Sequence, residues 1–302
     1  MSSHNSSLKA ILYAFLANLG IALAKSWAAF YTGSGSMLAE AIHSYADTGN
    51  QVLLYIGLKQ SQKPADEKHP LGYGKASYFW SFIVAVMLFS MGGLFSIYEG
   101  WHKLHAPEEL HQPWVALVVL AFSIVLEGLS LMGAMREIHA VRGEKSFREW
   151  VSTTRQAELM VVFGEDSAAI LGLILAFIFV SLAIVTGNPI FDAVGSICIG
   201  IVLIFVSIFI ATRLKGLILG RGVEPEVKAA LDEFIEENDA IEDVLNIITM
   251  HMGPQVMLAA KLRMRSDLCI EDAVREINAL EVKIKQRFPE IGWCFMEPDN
   301  KV

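Results

Sequence analysis

The chain has 302 residues, 54% of them hydrophobic, a mean hydropathy of +0.45 and a formal net charge of −8 at pH 7. The charge is uneven. Residues 1–221 carry fifteen acids and fifteen Lys plus Arg, whereas residues 222–302 carry seventeen acids and nine bases. An acidic balance without a basic face excludes nucleic-acid binding, and three cysteines without a CxxC pair signal neither a disulfide framework nor a thiolate zinc site.

A helix needs about 20 apolar residues to cross the hydrocarbon core. Six segments qualify, at roughly 8–30, 35–58, 78–101, 113–136, 156–186 and 189–213. Thr32-Gly33-Ser34-Gly35-Ser36 turns the first into the second, and Gly187-Asn188-Pro189 separates the fifth from the sixth. The sequence therefore predicts a six-helix transmembrane domain over 8–213. Basic residues orient it. Lys9, four lysines of the loop at 59–75, five Lys and Arg at 136–155, and Arg213, Lys215 and Arg221 lie on one side, and Lys103 alone on the other. The positive-inside rule places both termini in the cytosol. The polar start MSSHNSSLKA has no signal or transit pattern, which leans towards a bacterial inner membrane.

Residues 222–302 alternate differently. Glu224 to Asn238 has a helical period, Val244 to Thr249 and Val256 to Met264 alternate as strands, Glu271 to Phe288 is helical, and Gly292 to Glu297 is a third strand. The order αββαβ predicts a small cytosolic α/β domain of ferredoxin-like or metallochaperone-like type.

An ionisable side chain in hydrocarbon is costly and is a functional candidate by default. Span 2 holds Glu40, His43, Asp47, Asn50 and Gln51, three or four residues apart along one helical face. A His–Asp pair at i and i+4 can place a ring nitrogen and a carboxylate on one ion, a donor set that suits Zn²⁺ and its first-row neighbours. A polar stripe used for helix packing is the bland alternative. Glu165 and Asp166 in span 5 and Glu127 in span 4 also fall near mid-membrane. Bound metal or protons would neutralise such a group of carboxylates, which is a basis for exchanging one for the other. Lys25 and Glu40 read as a structural ion pair and Asp192 as a helix-end residue. His102, His105 and His111 read as solvated loop histidines.

These residues carry a resemblance. HSYAD in span 2, the loop DEKHPLGYGK, LEGLSL in span 4, GEDSAAILG in span 5 and the closing EPD resemble the cation diffusion facilitator family, and are similar to its zinc transporter nine branch. The resemblance implies a homodimer that exports divalent metal, Zn²⁺ foremost with Mn²⁺, Fe²⁺ or Co²⁺ as alternatives, in exchange for protons. It implies a site from spans 2 and 5, with His43, Asp47 and Asp166 at matching positions. Val162 stands where the family has a fourth ligand, and Glu165, three residues on, is the expected substitute. Asp66 and His69 match an accessory loop site in which Tyr73 replaces a usual histidine. In the C-terminal domain His251, Phe295 and Glu297 stand where zinc-sensing members carry several ligands, so no tight metal pair is expected there. A metal-sensing scaffold that transports nothing is the alternative function. An enzyme is disfavoured, because neither HExxH nor a nucleophile beside a base is present.

Overall fold

The computed structural model describes residues 18–106 and 111–301. They group into two compact units, one up to Gly57 with Phe79–Leu214 and the other Leu58–Tyr78 with the chain from Lys215 onward.

In the first unit α1 covers residues 18–32, and the earlier part of the first expected span lies outside the described residues. Gly33, at φ 68°, ends it, and α2 runs Gly35–Ser61. Next come α3 (Ala76–His105), α4 (Trp114–Arg142), a short α5 (Phe147–Thr153), α6 (Ala157–Thr186) and α7 (Ile190–Leu219). Helices α3, α4, α6 and α7 are long and apolar enough to span a membrane. At 29 or 30 residues each they extend about 45 Å, past the ~30 Å hydrocarbon core. The 27 residues of α2 also suffice in length, but its polar stripe holds its hydropathy down. Helix α5 lies within the loop that the sequence marks only by its basic residues. It starts at a capping box in which Ser146 Oγ accepts from the Glu149 amide and Glu149 reaches back to the Ser146 amide.

Each long helix shows one face to its neighbours and another outward. On α4, Trp114, Val118, Phe122, Val125 and Leu129 are exposed, while Ala116, Leu120, Ser123, Ala134 and Ile138 are buried. The exposed apolar face is what lipid contact requires, and Glu127 falls in step with the buried stripe. Helices α3 and α7 approach backbone to backbone. A Cβ on Gly100 would lie 2.6 Å from the Ala193 carbonyl oxygen, and one on Gly200 the same distance from that of Gly93. Small residues at such crossings are the usual basis of helix association in lipid. Within α3, Leu88–Leu94 widens into a π-helical segment that the apolar run gives no hint of.

A side chain from a distant helix secures the start of α2. Asp192, 1% exposed in the first turn of α7, accepts from Ser34 Oγ (2.7 Å) and from the amides of Gly35 (2.6 Å) and Ser36 (3.2 Å). These amides have no partner within the helix, so the carboxylate acts as an N-cap supplied from elsewhere in the chain.

The second unit carries α8 (Pro225–Glu236), β1 (Ile241–Met252), β2 (Gln255–Met264), α9 (Ile270–Arg287) and β3 (Ile291–Pro298). The sheet order is β1-β2-β3, with β1 antiparallel and β3 parallel to β2. Alternate residues Val256, Leu258, Ala260 and Leu262 of β2 share one core with Leu231 and Ile235 of α8 and Leu280 and Ile284 of α9. Both helices therefore cover the same face of the sheet. The opposite face exposes Ile248 and Phe295. In the segment 58–78, Tyr78 is buried and its hydroxyl donates to the Gly253 carbonyl (2.8 Å), at the β1–β2 turn.

Candidate metal centre

The stripe on α2 faces inward. Glu40, His43 and Asn50 are fully buried, and the Asp47 side chain keeps 17% of its surface. His43 Nε2 stands 3.5 Å from Asp47 Oδ2, one turn along the same helix. Across from it, Asn50 Nδ2 donates to Glu165 Oε1 at 2.6 Å. Ser130 Oγ of α4 donates to Asp166 Oδ2 at 3.0 Å.

A cavity of about 60 Å³ lies between these helices, lined by Asp47 and Gln51 of α2, Glu127 and Ser130 of α4, and Val162, Glu165 and Asp166 of α6, among others. That is room for an ion with a few water molecules. Four carboxylates from three helices thus border one small space in a low-dielectric interior, where bound metal or protons relieve their mutual repulsion. They surround the space without converging. Among the described residues, no three of His, Cys, Asp and Glu stand close enough together to hold one ion. His43 is reached through Asp47 and does not line the cavity, and neither of its ring nitrogens has a hydrogen-bond partner. Val162, one turn before Asp166, contributes an apolar wall.

Ser44 and Ser130 also line the cavity, and an uncharged serine within a helix carries little signal of that in the sequence. Ser130 sits three residues after Glu127, a spacing that could have marked it. Asn50 serves Glu165 in place of the cavity, a role that only the tertiary structure reveals.

The loop residues behave differently. Asp66 accepts from the amides of Lys68 (3.0 Å) and His69 (2.8 Å) and from the Tyr73 hydroxyl (2.7 Å). The Tyr73 hydroxyl, and after it the His69 amide, hold the Asp66 carboxyl below the usual carboxylate range. The His69 ring lies 4.0 Å, centroid to centroid, from that of Tyr73 and 3.6 Å from the Asp66 carboxylate. Tyr73 thus closes the turn onto Asp66. In the C-terminal unit His251 is buried on β1, and Phe295 is more than half exposed on β3. His105 Nδ1 lies 2.9 Å from the Trp101 carbonyl oxygen.

The Cation efflux transmembrane domain family matches residues 11–213. A proton-coupled zinc antiporter, SLC30A9, of Xenopus laevis is 35% identical over 253 residues, covering 83% of this chain and 44% of that protein. Its Homo sapiens counterpart is 34% identical over 263 residues, 86% of this chain and 45% of that protein. Metal tolerance protein C4 of Arabidopsis thaliana is 31% identical over 225 residues, 74% and 49% of the two chains. The chain spans a little under half the length of these relatives. With the transmembrane match running through the acid-lined cavity and the similarity extending over most of the chain, the protein belongs to the cation diffusion facilitator, or cation efflux, family.

Proposed function

We propose that the protein exports divalent transition-metal cations, Zn²⁺ foremost, in exchange for protons by alternating access. The observation that carries this reading is the single cavity bordered by Asp47, Glu127, Glu165 and Asp166. The named activity of the SLC30A9 relatives supports it. In this reading His43, Asp47 and Asp166 hold the metal and Glu165 completes the set, in place of the missing ligand at Val162. Asn50 fixes one oxygen of Glu165 and leaves the other for the ion. Three carboxylates and a neutral imidazole leave about one net negative charge around a divalent ion, and without the ion they must take up protons or separate. That competition is the coupling. The larger share of carboxylate oxygen keeps Mn²⁺ and Fe²⁺ open as cargo beside Zn²⁺.

The transport domain covers 8–213, and the domain at 222–302 pairs two copies in a homodimer. Both termini lie on the side of the basic loops. The bacterial inner membrane expected from the sequence sustains a proton gradient that such exchange can use, and the SLC30A9 relatives are named as mitochondrial and proton-coupled.

The test is metal flux into proteoliposomes of the full chain under a pH gradient, run with Zn²⁺, Mn²⁺, Fe²⁺ and Co²⁺. Asp47→Asn and Asp166→Asn should each abolish flux, and Glu165→Gln should impair it and lower the protons released per metal. Normal flux in Glu165→Gln beside none in Glu127→Gln would move the fourth ligand to α4. Stoichiometric binding without flux would favour the sensing scaffold.

A further inference from the structure

Towards the α1–α2 turn the metal cavity ends at Ser44. Immediately behind Ser44 lies Lys25 of α1, fully buried, donating to Ser44 Oγ at 2.7 Å and to Glu40 Oε2 at 3.2 Å. Glu40 is fully buried too. Its other oxygen, Oε1, has no hydrogen-bond partner. That oxygen sits against Gly172 of α6, where an added Cβ would lie only 2.5 Å away, so the bare α-carbon is what makes room for it.

The two helices run in opposite directions and mark the same levels. Glu40 is seven residues before Asp47, about 10 Å along α2, and Gly172 is six residues after Asp166, about 9 Å along α6. His43 lies between the levels, three residues or about 4.5 Å from Glu40, with both ring nitrogens free of hydrogen bonds. A pair that served only to fasten α1 to α2 would satisfy both carboxylate oxygens, since a buried acceptor left bare is destabilising. Here the bare oxygen rests against the α-carbon of Gly172, between the same two helices, α2 and α6, that border the metal cavity.

We propose that Glu40 is a second cation station, about one turn beyond His43 on the way to the α1–α2 turn, and that the Lys25 ammonium holds this station when no metal occupies it. The inference rests on reading the Asp47–Asp166 cavity as the transport site. A divalent ion leaving that cavity passes Ser44 and His43 and meets the free oxygen of Glu40. As it arrives it displaces Lys25 from the carboxylate, and Lys25 returns once the ion has gone. The ammonium is thus a tethered competitor that keeps the station from trapping its cargo.

The experiment measures Zn²⁺ binding to the full chain in detergent and Zn²⁺ flux in proteoliposomes. Glu40→Gln should bind Zn²⁺ within about threefold of the wild type and lose about tenfold or more in turnover. Lys25→Met should bind more tightly and release more slowly, lowering KM and kcat together. Lys25→Met/Glu40→Gln, which buries no charge and so guards against misfolding of the single variants, should turn over as slowly as Glu40→Gln alone. Gly172→Ala, which crowds the bare oxygen, should slow turnover with binding kept. Recovery of wild-type flux in the double variant would show an ion pair that only balances charge, and overturns the proposal. So does wild-type turnover in Glu40→Gln. If Asp47→Asn binds and transports normally, the transport-site reading falls, and this station with it.

Discussion

Asn50→Ala isolates what the residue contributes, because its side chain has one hydrogen-bond partner of consequence, Glu165 Oε1 at 2.6 Å, while its own Oδ1 has none. Removing it frees Glu165 to rotate. Loss of a group that orients a metal ligand typically costs about 10- to 100-fold in affinity, or about 1.4–2.7 kcal/mol. The fold suffers less. Leaving Glu165 Oε1 unpaired costs about 1–3 kcal/mol, offset in part because the variant also removes the bare Asn50 carbonyl oxygen. Chelator competition with Zn²⁺ on the purified full chain gives the affinity, and thermal unfolding in detergent gives the stability. Because Asn50 acts through Glu165, Asn50→Ala/Glu165→Gln should bind no more weakly than Glu165→Gln alone. Affinity within about twofold of the wild type for Asn50→Ala, or additive losses in the double variant, would refute the orienting role.

Gly100→Ala should lower the stability of the detergent-solubilised protein by about 1–3 kcal/mol in thermal unfolding, because its Cβ would meet the Ala193 carbonyl across the α3–α7 crossing. Tyr73→Phe should return the Asp66 carboxyl towards its ordinary range, read by NMR titration of that carboxyl. The Asp66 carboxyl is held low, so its ordering of the loop is present above the ordinary carboxylate value and is lost as pH falls through the depressed one. In the variant that loss should come at higher pH, and an unchanged titration would contradict the hydrogen bond. Burial, and then Glu281, push the Cys294 thiol up to about 11 from an ordinary 9.0. At pH 8 it should therefore be alkylated about 100-fold more slowly than an unperturbed thiol, measured by iodoacetamide labelling and mass spectrometry. Labelling at the rate of an unperturbed thiol would contradict that shift.

Much of the architecture is legible in the sequence because it is written in local period. Alternation over Val256–Met264 gave a strand that the structure extends by one residue, and the 3.6-residue repeat over Glu271–Phe288 gave α9 to within a residue at each end. The stripe Glu40, His43, Asp47 and Asn50 was visible for the same reason. Period says which residues share a face and nothing about which helix meets that face. The bond from Asn50 to Glu165 joins residues 115 apart, and that from Ser130 to Asp166 joins two helices with no shared pattern. The π-helical turn in α3 was hidden because LFSMGGL is as apolar as its surroundings. Helix α5 was readable in principle from Ser146 and Glu149, and was lost among the basic residues that mark the loop.

The cap on α2 separates covalent from mechanical neighbours. The chain passes directly from α1 through Gly33 into α2, yet Ser34, Gly35 and Ser36 hang on Asp192 of α7, and the Gly33 carbonyl accepts from Lys103 near the end of α3. The α1–α2 corner is thereby yoked to the α3–α7 pair, itself locked by backbone contact at Gly100 and Gly200. Any rocking of this bundle that draws α2 away from α7 must strip three donors from one buried carboxylate at once. Motions that carry the corner and α7 together leave all of them in place, so the bundle is free to part elsewhere and is latched here.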